Sequence, residues 1–149
     1  MDEWHEFRVR VYFEDTDAQG VVYFTNYLKF MERGRTEWLR ELGVEQDWLL
    51  REHGLCFTLT ETGARFHRPA RFNDQLLVRT RIARLARASM ALEQTVSRLA
   101  ANDSADSELL CSADCVAACI DMQSFRPRRI PAELFAAERD FVTQDQRQV

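Results

Sequence analysis

Residues Tyr12 to Trp38 read YFEDTDAQGVVYFTNYLKFMERGRTEW, and the rest of the chain is organised around this stretch. Leading into it, Phe7, Val9, Val11 and Phe13 alternate with Arg8, Arg10 and Tyr12. That is the period of a half-buried strand. The strand breaks at a polar turn holding Asp15, Asp17 and Gly20. An apolar-aromatic run follows, and Tyr27, Met31, Gly34, Trp38 and Leu42 then recur at helical spacing. On propensity, Thr25 or Asn26 caps this helix and Gly43 ends it. From Asn26 to Leu42 it would be about 25 Å long. Gly34 inside a helix costs about 1 kcal/mol against alanine, which points to close approach by a sheet or a ligand. A carboxylate in a tight turn ahead of a helix N-terminus sets a base beside free backbone N–H donors. That pairing suits acyl transfer, where one group activates water and another holds the developing oxyanion.

Downstream, a second short helix fits Val44 to His53, with Trp48 and Leu49 as its apolar contacts. The period then changes to two. A strand runs from Leu55 to about Phe66, and a second places Leu76, Val78, Thr80 and Ile82 on one face. A third spans about Ser89 to Leu99. After a polar turn, Asn102 to Ser107, a well-buried strand covers Leu109 to Asp121. Pro127 and Pro131 close the sheet region, Ala132 to Phe141 reads as a short helix, and Thr143 to Val149 is a polar tail. The pattern is α+β: one long helix against five strands, the last three a hairpin-connected antiparallel meander. Residues 1–149 form one domain with a polar tail from about 142. One helix cannot cover both faces of such a sheet, and the last strand is apolar on both. A homo-oligomer follows, most simply a two-fold dimer.

Composition narrows the function classes. The net charge is −4 and Lys29 is the only lysine, so arginine supplies nearly all the positive charge. Arg65, Arg68, Arg71, Arg79, Arg81, Arg84 and Arg87 crowd one region. An acidic whole with a local arginine strip argues against a nucleic-acid binder and leaves room for a phosphate-bearing small molecule. The first residues lack the basic and apolar regions of a secretory signal, and no run is long enough for a membrane span. Cys111, Cys115 and Cys119 share a strand face with Ala113 and Ala117, with no histidine nearby. Small buried side chains in a reduced, cytoplasmic protein are the reading, and no metal is expected.

The run EDTDAQGVVYFTNYLKFMERGRTEWL resembles the signature of the 4-hydroxybenzoyl-CoA thioesterase family of hotdog-fold acyl-CoA hydrolases, and is especially similar to its Tol-Pal-associated bacterial branch. The matching residues are Asp15, Asp17, Gly20, Val21, Val22, Tyr23, Asn26 and Tyr27, followed downstream by Pro69, Ala70 and Asp74. Near the end, IDMQSFRPRRIP resembles the family's closing segment. The resemblance implies a long helix wrapped by a curved five-stranded antiparallel sheet, in dimers or tetramers with active sites at subunit interfaces. It implies that Asp17 is the catalytic carboxylate, as general base or as nucleophile. It implies too that the backbone N–H of Phe24 polarises the thioester carbonyl, with the helix beginning nearer Val22. Many members of that branch carry histidine where this chain has Phe24.

Around that core, Asp15 braces the turn by accepting backbone hydrogen bonds, and Glu32 pairs with Arg35 or Thr36 one turn on. Tyr23, Asn26 and Tyr27 are the substrate-binding candidates beside the chemistry. Arg126, Arg128 and Arg129 form a compact basic group suited to the phosphates of coenzyme A. Coenzyme A belongs to the substrate, and no separate cofactor is expected. The expected function is hydrolysis of an acyl- or aryl-CoA to free acid and CoA. Its rivals are a non-catalytic binding module for acyl-CoA or acyl carrier, or an envelope-complex scaffold, and a hotdog dehydratase acting on hydroxyacyl thioesters.

Overall fold

The computed structural model describes residues 3–101 and 107–136. Five strands make one antiparallel sheet: β1 (His5–Arg10), β2 (Leu55–Phe66), β3 (Gln75–Leu85), β4 (Ser89–Leu99) and β5 (Ser107–Asp121). Their order across the sheet is β1-β3-β4-β5-β2. The expected meander is therefore its centre, and the two earlier strands add to opposite edges. The long helix α1 (Phe24–Glu41) lies on one face, followed by α2 (Gln46–His53). Register shifts at Leu59/Glu61, Ile82/Arg84 and Val96/Ser97 interrupt the ladders. Such bulges bend and twist a sheet.

The apolar stripe of α1 is buried as its spacing requires: Tyr27, Phe30, Met31, Gly34, Trp38 and Leu39 all face the sheet. Beneath them β5 presents Cys111, Ala113, Cys115, Ala117 and Cys119, every one buried. The cysteines thus serve as small floor residues under the helix. Gly34 sits where the helix crosses β3. A Cβ built there would lie 2.7 Å from Val78 Cγ1, so the close approach inferred from its position is met by the sheet. Gln94, also buried, ties the same crossing together. Its Nε2 donates to Met31 O and to Thr80 Oγ1, each at 2.9 Å, and its Oε1 accepts from Arg35 Nη1 at 3.0 Å.

Three boundaries differ from the sequence reading. The first strand ends at Arg10 instead of continuing to Phe13. Val11 N–H turns to Asp74 O at 2.9 Å, Val11 O accepts from Asn73 N–H, and the chain enters a single 3-10 turn, Phe13–Asp15. Phe13 consequently points out, 79% exposed. The long helix starts at Phe24 with Tyr23 as N-cap, between the propensity cap at Thr25 or Asn26 and the family's position near Val22. The second helix starts at Gln46, because buried Val44 is held by its N–H to Leu39 O at 2.8 Å. Of the expected Ala132–Phe141 helix, the described part is a turn after Pro131 with Leu134 and Phe135 buried. Residues 137–141, most of the 102–107 turn and the tail lie outside the described residues. No helix among the described residues is long and apolar enough to cross a membrane.

Candidate active site

The loop between the first strand and α1 is held by its own polar groups. Asp15 does the bracing expected of it: Oδ2 accepts Tyr12 N–H at 2.8 Å, while its carbonyl accepts Tyr23 N–H at 3.2 Å and Asn26 Nδ2 at 2.8 Å. Thr16 pairs with Val22 across a short bridge. Inside it, Asp17 N–H donates to Val21 O at 2.9 Å and Gly20 N–H returns to Asp17 O at 3.0 Å. Gly20 closes this tight turn at φ +80°, a left-handed conformation that glycine adopts without a Cβ penalty. Asp17 stands exposed at the turn's head. Its Oδ1 accepts Gln19 N–H at 2.8 Å, and Oδ2 meets no donor among the described residues.

The helix start offers the complementary charge. Tyr23 caps α1 in an extended conformation without any side-chain hydrogen bond, and the first turn contains no acidic residue. Asn26 N–H returns to Tyr23 O, but Phe24 and Thr25 N–H find no acceptor among the described residues. Open first-turn amides carry the positive end of the helix dipole. Asn26 spends its side chain on the Asp15 carbonyl, so it fixes the loop against the helix.

Beside these amides lies a cleft of about 250 Å³ lined by Val22, Phe24, Tyr27, Phe66, His67, Arg68 and Pro69. Its walls are aromatic. Phe24 packs on Tyr23 at 4.8 Å and edge-on to Phe66 at 6.1 Å, and Tyr27 meets Phe66 at 5.5 Å between ring centroids. Tyr23 and Phe24 are about half exposed, whereas Tyr27 is 3% exposed. The Tyr27 hydroxyl accepts Ala70 N–H at 2.9 Å, and burial pushes its phenol above the usual range. Tyr27 therefore gives the cleft a ring edge and the core a hydrogen bond. The expected Glu32 partner is Thr36, whose Oγ1 donates to Glu32 Oε1 at 3.4 Å.

One chain does not bring Arg126, Arg128 and Arg129 to this place. Phe66, in the cleft, pairs with Cys111 on β5, whereas Asp121, ten residues on, receives Arg128 Nη1 at 3.3 Å. At about 3.3 Å per residue that separates the two groups by roughly 33 Å. Phe66 and His67 have no site role in the sequence reading, and Arg68 enters it only as one of the arginine-rich strip; alternation marks Phe66 only as a strand end. The signal was the proximity of these residues to the Pro69–Asp74 segment, which the structure folds against the Asp17 loop through the Val21–Arg71 bridge and Val22 N–H to Ala70 O at 2.8 Å.

With this geometry in view, likeness to known proteins becomes informative. The pattern of the thioesterase-like superfamily matches residues 11–137. The chain belongs to that superfamily. The acyl-CoA thioesterase YbgC of Haemophilus influenzae is 37% identical over 137 residues, covering 92% of this chain and 96% of that protein. A probable thioesterase from Bartonella henselae superposes with a TM-score of 0.76 at 36% identity, over 87% of this chain and 100% of that one. A 4-hydroxybenzoyl-CoA thioesterase mutant solved with 4-hydroxybenzoyl-CoA shares the fold, with a TM-score of 0.76 at 23% identity over 84% of this chain and 89% of that one. The helix wrapped by a five-stranded antiparallel sheet is thus the superfamily's hotdog fold.

Proposed function

We propose that this chain is an acyl-CoA thioesterase whose chemistry runs between Asp17 and the first amides of α1. The observation that carries the proposal is local. An exposed carboxylate with one oxygen free sits on a turn tied to Val21, and the next residue, Val22, lines the aromatic cleft together with Phe24 at the uncapped helix start. The acyl-CoA thioesterase relative, matching across nearly the whole chain, supports the same reaction class.

In this reading the thioester carbonyl oxygen points at Phe24 N–H. Asp17 removes a proton from water as it attacks the carbonyl carbon, and the resulting oxyanion is held by the amide. Collapse breaks the carbon–sulfur bond, and the proton on Asp17 passes to the departing CoA thiolate. Thiolate leaves readily, so no stronger acid is needed. A positioned base contributes about 10²–10⁴-fold and an oxyanion donor about 10²–10³-fold. In the nucleophilic variant, Asp17 attacks directly and water then cleaves the mixed anhydride. Single-turnover hydrolysis in heavy-oxygen water separates the two: the general-base route puts one labelled oxygen into the acid, whereas the nucleophilic route, with water attacking the Asp17 carbonyl carbon of the anhydride, leaves the acid unlabelled and puts the label on Asp17.

The site is completed by a second copy. β2 is an edge strand of twelve residues, long for an edge left bare, and Tyr23, Phe24 and Phe66 are half exposed beside it. Arg126, Arg128 and Arg129 enter this reading only from that copy. The decisive test is Asp17→Asn. CoA release across an acyl-CoA panel should fall at least a hundredfold with an unchanged melting temperature, since Asp17 is exposed. Undiminished turnover on the best substrate would refute the assignment.

A further inference from the structure

The end of α1 remote from the Asp17 loop opens onto a separate cavity of about 330 Å³. Along the helix, Phe24 and Glu41 stand about 25 Å apart. The cavity lies at the β1 edge of the sheet, opposite the β2 edge. Trp38, Glu41 and Leu42 line it from the helix, and Glu3, Trp4, His5 and Ile82 from β1, its lead-in and β3. Its charges have one sign. Glu41 Oε2 meets His5 Nε2 at 2.8 Å, while Glu41 Oε1 and exposed Glu3 meet no lysine or arginine among the described residues. No basic side chain other than His5 is among the lining residues. Arg40, the basic residue of the helix's last turn, is spent on Glu37 and Glu45. The negative end of the helix dipole therefore faces the cavity together with the carboxylates.

The aromatic walls are fixed in place. Trp38 is buried and stacks on Phe135 at 5.9 Å between ring centroids. Trp4 already holds a cation: Arg81 Cζ lies 4.4 Å from its ring centroid, with the guanidinium charge met by Glu93 Oε2, 2.8 Å from Arg81 Nε. Beside Trp4, the His5 side chain is 12% exposed and its Nδ1 has no hydrogen-bond partner among the described residues, so the protein alone does not complete the polar wall. Indoles and carboxylates around an apolar floor call for a cation with an apolar body. Among the described residues no group of His, Cys, Asp or Glu could hold a metal ion, which leaves an organic cation. We propose that this cavity binds a small alkylated ammonium ion, its alkyl groups against Leu42 and Ile82 and its charge between the two indoles and the Glu3 and Glu41 carboxylates. Tryptophan is the best aromatic partner for such a cation.

The test is calorimetric titration of the full chain at fixed ionic strength with choline, with 3,3-dimethylbutan-1-ol, its uncharged carbon isostere, and with phosphocholine. Choline should bind at least about tenfold more tightly than the alcohol. It should also bind more tightly than phosphocholine, whose phosphate would meet Glu3 and Glu41, and this arm separates a free ammonium ion from a phospholipid headgroup. Trp4→Leu should weaken choline about tenfold, and Glu41→Gln, a change at an exposed side chain, about threefold. Choline, and not the alcohol, should raise the melting temperature of the wild type. Absence of choline binding overturns the proposal, as does equal affinity for the alcohol or for phosphocholine. Unchanged choline affinity in either variant overturns it too, and Glu41→Gln decides where Trp4→Leu does not fold. None of these readouts involves thioester turnover, so the result is independent of the thioesterase reading.

Discussion

Replacing Gly34 with alanine pits two effects of known sign against each other. In an isolated helix the change is favourable by about 1 kcal/mol, because alanine loses less backbone freedom. Here the new Cβ would sit 2.7 Å from Val78 Cγ1, against an ordinary carbon contact of about 3.5–4.0 Å. Something must retreat by about 1 Å. Val78 is 0% exposed, and its branched side chain is stiff at χ1, so it has no empty space to turn into. Lifting the helix instead stretches Gln94 Nε2 to Met31 O, now 2.9 Å, and Arg35 Nη1 to Gln94 Oε1, now 3.0 Å. Overpacking of this kind costs about 2–3 kcal/mol. Subtracting the helix gain leaves a net loss of about 1–2 kcal/mol, or roughly 3–6 °C in melting temperature for a chain of this size. Melting of variant and wild type at equal protein concentration measures it, since association would contribute to both. The specific culprit is checked by Val78→Ala, which deletes the offending methyl. It should cost at least about 1 kcal/mol less in the Gly34→Ala background than in the wild type. A Gly34→Ala protein as stable as wild type, or strict additivity of the two changes, would refute the reasoning.

Tyr27→Phe removes the acceptor of Ala70 N–H at a fully buried residue, and an unpaired buried amide costs about 1–3 kcal/mol. The urea midpoint should fall accordingly, and an unchanged midpoint would refute the bond. The thiols make a prediction about pH. Burial pushes Cys111 up to about 11 and raises Cys115 and Cys119 as well. At about pH 8, a disulfide reagent should therefore label half-buried Cys56 first and the other three only on unfolding. In the unfolded chain a thiol ionises near 8.5, whereas folded Cys111 keeps its proton to about 11. Its contribution to stability is thus complete below about 8.5 and is lost as pH rises towards 11, at up to roughly 1.4 kcal/mol per pH unit. Urea midpoints measured through this window should fall less steeply in Cys111→Ala; identical slopes would refute the sign.

The strands and the body of α1 were legible because each carries its period over many residues, and burial follows that period. Even Gly34 was legible, since an unfavourable residue in a strong helix needs an external reason. Legibility failed where local preference and site chemistry diverge. Propensity placed the cap at Thr25 or Asn26 because such side chains satisfy first-turn amides. The protein instead puts Tyr23 at the cap, with no side-chain bond, and sends the Asn26 side chain back to the Asp15 carbonyl. A capped helix start would have its donors spent; an uncapped one keeps them for a ligand. The boundary was misplaced because the Asn26 side chain serves the Asp15 loop and not the helix start, a departure from local consistency of the kind found where function overrides it.

The second failure has a different cause. Phe66 and Arg68 reach the cleft through contacts with no local period. The β2–β5 register brings Phe66 to Cys111, and a two-residue bridge joins Val21 to Arg71 across fifty positions of sequence. Sequence alone showed an arginine-rich strip and ranked the compact Arg126–Arg129 cluster above it, because proximity in sequence was the only proximity available. The β2–β5 register sets the Arg126–Arg129 cluster of the same chain roughly 33 Å along β5 from Phe66, while Arg68 lines the cleft. Val21 bridges to Arg71 and through its carbonyl holds the Asp17 N–H, so the Pro69–Asp74 loop and the Asp17 turn are tied to one another. If Asp17 carries the chemistry as proposed, a variant that shifts the Pro69–Asp74 loop should therefore lower kcat for thioester hydrolysis even though it leaves Asp17 itself unchanged.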